Sequence, residues 1–221
     1  MEDGNVMINV IYEDNHLLVV EKKPNILVQA DDTKDIDLLT LLKDYLKEKY
    51  NKPGNVYLGL VHRLDRPVGG VMVFAKTSKC ASRLSEQVRT HKFEKIYYAV
   101  LCGKAKSSDM LVDKLEKDTK NNMVKVSVNG KEAILNYELI DYKDNMSLVK
   151  IKLKTGRSHQ IRVQFSSRNL PLYGDQRYNK NSKVGEQIAL FAKSLSFYHP
   201  ITNEKLTFEL SLPDRYPWNI F

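Results

Sequence analysis

Cysteine is nearly absent from this sequence, and so are long apolar runs, repeats and linker-like tracts; each shortage removes a class of protein. The two cysteines among 221 residues, Cys80 and Cys102, stand in no Cys-x-x-Cys pair and near no histidine cluster with zinc-ligand spacing. A disulfide framework or a structural zinc site therefore has nothing to be built from, and both thiols are expected to be reduced and partly buried. No apolar stretch approaches the roughly 18 residues that span a bilayer, and the opening MEDGNVMINVIYEDNH lacks the basic-then-apolar layout of a secretory signal. The expectation is a soluble, cytoplasmic protein. Composition lies in the ordinary globular range, and the length predicts one domain, residues 1–221, with a substantial core.

Charge, by contrast, is plentiful. Lys and Arg number 35 against 27 Asp and Glu, a formal net charge of +8. The excess suits a phosphate-rich partner, although it separates neither RNA from DNA nor either from a merely basic enzyme.

The apolar runs Ile8–Tyr12 and Leu17–Glu21 flank Glu13-Asp14-Asn15-His16 and read as a hairpin, closed by Lys22-Lys23-Pro24. Apolar positions 38, 39, 41, 42, 45 and 46 recur at helical spacing from Leu38 to Tyr50, behind Asp35 and Asp37 as caps and before Pro53-Gly54. Leu58–Val61 and Val71–Lys76 read as strands around a polar loop, and Thr77 or Ser78 caps a helix to about Arg89. Lys95–Leu101, Met123–Val128, Glu132–Leu139 and Leu148–Leu153 alternate as strands, with Asn129-Gly130 as a hairpin turn. A helix is expected from Ser158 to about Arg168, and strands near Ile188–Phe197 and Lys205–Leu210 finish the chain. Hairpin-linked strands outnumber helices, which predicts an α+β fold: a large mixed, mainly antiparallel sheet with flanking helices.

Two segments concentrate chemistry. Leu60-Val61-His62-Arg63-Leu64-Asp65-Arg66 sets one carboxylate between two guanidinium groups, which favour its ionised, nucleophilic form; a surface ion-pair cluster would look the same. Leu153-Lys154-Thr155-Gly156-Arg157-Ser158-His159-Gln160-Ile161-Arg162 adds cations where a strand gives way to a helix. His159 and Arg162, three residues apart, share a helical face and can enter one cleft while Ile161 and Phe165 face the core. A lone histidine there also fits a structural role.

Together these segments resemble the two signature motifs of the RluA-type family of RNA pseudouridine synthases. HRLDR at 62–66, followed by Gly70 and VMVFAK, is similar to the catalytic motif, and TGRSHQIR at 155–162 to the second hallmark. Weaker echoes follow in chain order: YEDNHLLVVEKKP, KIYYAVLCGK, LPLYGDQRY and IALFAKSLSFYHP. The resemblance runs from about Ile11 to Pro213 and leaves no stretch for an appended S4-type RNA-binding domain. One departure is that Val68-Gly69-Gly70 stands where the family usually has Thr-Ser-Gly, which removes two hydroxyls beside the loop.

The resemblance implies an RNA pseudouridine synthase acting on ribosomal or transfer RNA. Asp65 matches its nucleophile, Arg162 the arginine that pairs with that carboxylate, and Tyr97 the active-site tyrosine, although a core strand aromatic would also suit position 97. Of Tyr97 and Tyr98 only one can face a cleft. Arg63 would fill the gap left by a flipped uridine. His62, Lys23 and Arg157 would contact RNA backbone or brace the loop, with Arg66 and His159 completing the RNA-contacting set, and Leu190 would shield the site from water. Substrate and product are isomers, so no cofactor is expected, and no metal ligand set is visible. RNA is the expected partner of a monomer with no obligate protein partner. The alternatives are a non-catalytic RNA-binding protein of the same fold, a glycosidase that breaks the same bond without rebuilding it, and an unrelated hydrolase with a paired Asp and Arg.

Overall fold

The structure, a computed structural model, describes residues 8–31, 33 and 35–221; residues 1–7 of the opening segment read above for a leader lie outside them. Among the described residues no helix is long and apolar enough to cross a membrane. The chain divides into two compact units, one running up to Phe93 and including Leu195–Glu209, the other Glu94–Ser194 with Leu210–Phe221.

In the first unit β1 (Asn9–Glu13) pairs antiparallel with β2 (Leu17–Lys22), as the hairpin reading expects. The helix α1 (Leu38–Lys49) follows, then β3 (Gly59–Leu60), β4 (Gly69–Ala75) and α2 (Ser78–Arg89). Strand β4 pairs antiparallel with both β2 and β3. Leu17–Val20 and Met72–Ala75 have no exposed surface, so these strands are covered on both faces and read as unbroken apolar runs instead of alternating ones. Leu38, Leu42 and Leu46, spaced by four, turn the buried stripe of α1 inward. Each such leucine contributes about 1.5–3 kcal/mol by leaving water. Asp37 caps α1 by accepting the Thr40 N–H at 3.0 Å, and Thr77 caps α2 through Cys80 N–H at 3.2 Å, each cap worth about 1 kcal/mol.

The second unit holds β5 (Glu94–Cys102), β6 (Ser108–Asp118), β7 (Met123–Val126), β8 (Lys131–Lys143) and β9 (Met146–Leu153), then α3 (Gln160–Ser166) and the start of β10 (Leu190–Tyr198). The end of β10 and β11 (Lys205–Glu209) belong to the first unit. Antiparallel pairing joins β5 to β9, β9 to β8, β8 to β6 and β6 to β7. Val100, Met146, Leu148, Phe191 and Trp218 form one core cluster; Leu115, Val124, Ala133 and Val163 form another. Both free thiols behave as expected, Cys80 buried and Cys102 partly so. The α+β class and its mainly antiparallel sheet are borne out.

Three local expectations need correction. Asn129-Gly130 does not close a hairpin: β7 and β8 both pair with β6, meeting it from either side at Leu115. A side chain at Gly130 would lie 2.5 Å from the Leu115 backbone, so this glycine is dictated by close approach. The eleven-residue β6 was not expected at all, because only Leu111 and Leu115 of its residues are buried. The helix expected from Ser158 begins at Gln160, since His159 sits in the left-handed region at φ 49°.

Candidate active site

In the first unit the loop carrying Asp65 bridges β3 and β4. Leu64 anchors it in the core, Asp65 is half-buried, and Arg63 and Arg66 are exposed. The Asp65 carbonyl accepts the Val68 N–H at 2.9 Å, closing a turn. Arg66 pairs with Asp35 at 2.7 Å and donates to the Asn25 carbonyl at 3.3 Å, while its own carbonyl accepts Asn25 N–H. This arginine thus ties the loop to the segment after β2. His62 is buried and its Nε2 accepts the Val73 N–H at 3.1 Å, with its ring edge-on to Phe93 at 5.2 Å. An acceptor at Nε2 puts the proton of the neutral ring on Nδ1.

The residue that fixes the loop most directly is Lys22, which sequence reasoning passed over in favour of its neighbour. Lys23 is half exposed and pairs with Glu21 at 3.1 Å. Lys22 has no exposed surface, and its Nζ donates to the carbonyls of Lys23 (3.1 Å), Arg66 (2.9 Å) and Val68 (2.7 Å). Three acceptors match the three N–H donors of an ammonium group. Burial nevertheless pulls its pKa down to about 7, with the Asp65 charge raising it and that of Arg66 lowering it. A side chain at Gly69 would stand 3.1 Å from Pro24 and 3.2 Å from the Lys22 carbonyl. Glycine in place of the family's hydroxyl residue therefore lets the strand lie close against the Lys22-Pro24 bend.

Lys22 carries a pH-dependent expectation. The folded protein releases its proton near pH 7 and the unfolded chain near the ordinary 10.5, so between these values the unfolded state binds more protons and stability due to this residue rises with pH. Denaturant midpoints of the wild type minus those of Lys22→Met should climb from pH 6 to pH 9; a flat difference contradicts the shift.

In the second unit Thr155 and Gln160 shape the other motif. The Thr155 hydroxyl accepts Ile134 N–H at 2.8 Å and donates to Gln160 Oε1 at 2.8 Å, which also accepts Arg157 N–H. Arg157 is exposed and donates to the Glu132 carbonyl at 2.8 Å. Arg162 is almost wholly buried and forms a two-pronged pair with Asp175, Nε to Oδ2 at 2.9 Å and Nη2 to Oδ1 at 2.7 Å. Its guanidinium also lies 5.1 Å from the centre of the Tyr178 ring. His159 Nδ1 meets the Tyr178 hydroxyl at 2.7 Å. His159 and Arg162 both touch Tyr178, but not by sharing a helical face: His159 precedes α3, and every residue of α3 from Gln160 to Phe165 is buried. Asp175 and Tyr178 were missed as individual residues; their signal was the LPLYGDQRY segment.

Tyr97 is buried on β5 opposite Ile151, while Tyr98 lies partly exposed against the Val100 cluster under Lys193. Adjacent strand residues face opposite ways, which separates their roles. Leu190 is buried at the start of β10. Burial lowers the pKa of Lys95, two residues before Tyr97 on β5.

Residues 16–167 match the family described as RNA pseudouridylate synthase. A protein of Aquifex aeolicus named as an uncharacterized RNA pseudouridine synthase is 35% identical over 228 residues, covering 96% of this chain and 72% of its own length. Ribosomal large subunit pseudouridine synthase D of Buchnera aphidicola is 33% identical over 226 residues, covering 95% of this chain and 70% of its own. Among solved structures, human RNA pseudouridylate synthase domain containing 1 shares the fold with a TM-score of 0.78 at 22% identity, over all of this chain and 89% of that one. The matched segment contains HRLDR and TGRSHQIR in full, and the chain belongs to the RNA pseudouridylate synthase family that these motifs resemble.

Proposed function

We propose that this RNA pseudouridine synthase uses the Asp65 carboxylate as its nucleophile, with Arg162 pairing to that carboxylate and Tyr97 serving the same uridine. The observation that carries the reading is the setting of Asp65. It projects from a loop whose main chain is held by a buried lysine through Arg66 and Val68, so the carboxylate is placed by structure that does not itself react. In the reaction the N1–C1′ bond breaks, uracil turns, and a C5–C1′ bond forms; a proton leaves C5 and one is gained at N1. Atoms and electrons balance without a redox partner. The Tyr97 ring stacks on the uracil and its hydroxyl relays the C5 proton. The exposed guanidinium of Arg63 takes the place vacated in the RNA stack.

Relatives at 30–33% identity are named for the large ribosomal subunit, which favours ribosomal RNA as the substrate class. Purified protein incubated with unmodified large-subunit ribosomal transcript, and separately with transfer RNA, should form pseudouridine in the first; product only in the second would move the substrate class, and free uracil instead of pseudouridine would convert the reading to a glycosidase. In the second unit exposed Arg157 lines a cavity of about 420 Å³ together with Lys117 and Lys131, a place for RNA phosphates. Binding should weaken steeply with salt. Replacing Lys117 and Lys131 by alanine should lower the slope of log affinity against log salt by about 1–2, near 0.7 per lost contact to a single strand; an unchanged slope in filter-binding titrations contradicts this RNA surface.

A further inference from the structure

Tyr178 is partly buried and belongs to neither signature motif, yet it touches both conspicuous side chains of the second one. Its hydroxyl oxygen accepts the Val124 N–H of β7 at 2.9 Å. A phenol oxygen has one proton to give and can accept more than one hydrogen bond, so the 2.7 Å contact with His159 Nδ1 couples the phenol proton to the imidazole tautomer. With the phenol as donor the neutral imidazole is the Nε2–H tautomer, and its ring orientation is set by the tyrosine. The same ring supports Arg162 from 5.1 Å, a contact that favours a guanidinium over an ammonium. Asp175, which grips Arg162 by two hydrogen bonds, also accepts the Tyr178 backbone N–H at 3.4 Å and that of Arg177 at 3.1 Å. The segment from Asp175 to Tyr178 thus holds Arg162 along its edge and on its face at once.

We infer that Tyr178 is a positioning residue for the isomerisation: its ring sets the plane of the Arg162 guanidinium and its hydroxyl sets the tautomer and orientation of His159. This rests on the reading of Arg162 as a partner of the reacting carboxylate. Tyr178 does not touch substrate; it acts through the two residues it holds. Two variants divide its two jobs. Tyr178→Phe keeps the ring under Arg162 and removes the hydroxyl, whereas Tyr178→Leu removes both. Misplacement of a catalytic group by about 1 Å costs roughly 100-fold in rate.

The test is single-turnover pseudouridine formation on the ribosomal transcript with the full chain, alongside nitrogen-15 NMR of the His159 ring, assigned with a His159→Gln variant. Tyr178→Phe is expected to lower the rate at saturating RNA by roughly 10-fold and to shift the His159 nitrogen signals away from the Nε2–H pattern of the wild type. Tyr178→Leu should lose roughly a further 10-fold. A purely structural tyrosine would lower the unfolding midpoint while leaving the rate of the folded fraction at the wild-type value, and that result overturns the inference. So does a wild-type His159 with its proton on Nδ1. An inactive wild type would instead overturn the synthase reading, and this role for Tyr178 with it, whatever the NMR signals.

Discussion

Asp65→Asn should remove pseudouridine formation by about four orders of magnitude or more while leaving RNA affinity and the unfolding midpoint close to wild type. Loss of a nucleophile is of that size because no neighbouring group replaces covalent attack. The fold has little reason to notice. Asparagine is isosteric, the turn beside position 65 is made by the backbone bond from Val68 N–H to the residue 65 carbonyl, and Lys22, Arg66 and Leu64 hold the loop at other points. Single-turnover assays on ribosomal transcript, with circular dichroism melts of the same preparations, check both halves. A variant retaining a tenth of the activity would exclude Asp65 as nucleophile and leave a binding role for it.

Asp175→Ala should have the largest effect on stability, about 3–5 kcal/mol, because it removes one side of a buried, two-pronged ion pair. In a chain of this length that lowers the melting midpoint on the order of 10 °C. The pair has both partners almost fully buried and two short, parallel hydrogen bonds, the geometry in which removal of one side is most costly. Arg162→Lys should also be harmful, since an ammonium cannot keep both bonds and the contact with Tyr178 together. Calorimetry decides: a loss below about 1 kcal/mol would place this pair with ordinary surface ion pairs.

How much of this was readable beforehand depended on how far each signal is local. Unbroken apolar runs announced β2 and β4, and spacing by four announced α1, because those patterns follow from burial of consecutive or periodic positions. Asp65, Arg162 and Tyr97 were readable as candidates because a motif keeps residue types at fixed spacing. Lys22 was not, since which of two adjacent lysines turns inward is settled by three carbonyls, two of them more than 40 residues away. Asp175 and Tyr178 were obscured for the same reason: their meaning lies in contacts with Arg162 and His159 across the chain. The misreading of Asn129-Gly130 has a parallel cause. A turn dipeptide predicts a reversal, but β6, with only two buried residues, gave no sign that it would come between the two strands.

The most direct test of the central claim is pseudouridine mapping by carbodiimide sequencing of total RNA from cells carrying the native gene, a deletion, and Asp65→Ala. The account predicts that at least one ribosomal site is modified with the native gene and lost in both altered strains, with the Asp65→Ala protein still present at wild-type abundance. Every native site persisting in the strain that makes Asp65→Ala would contradict it.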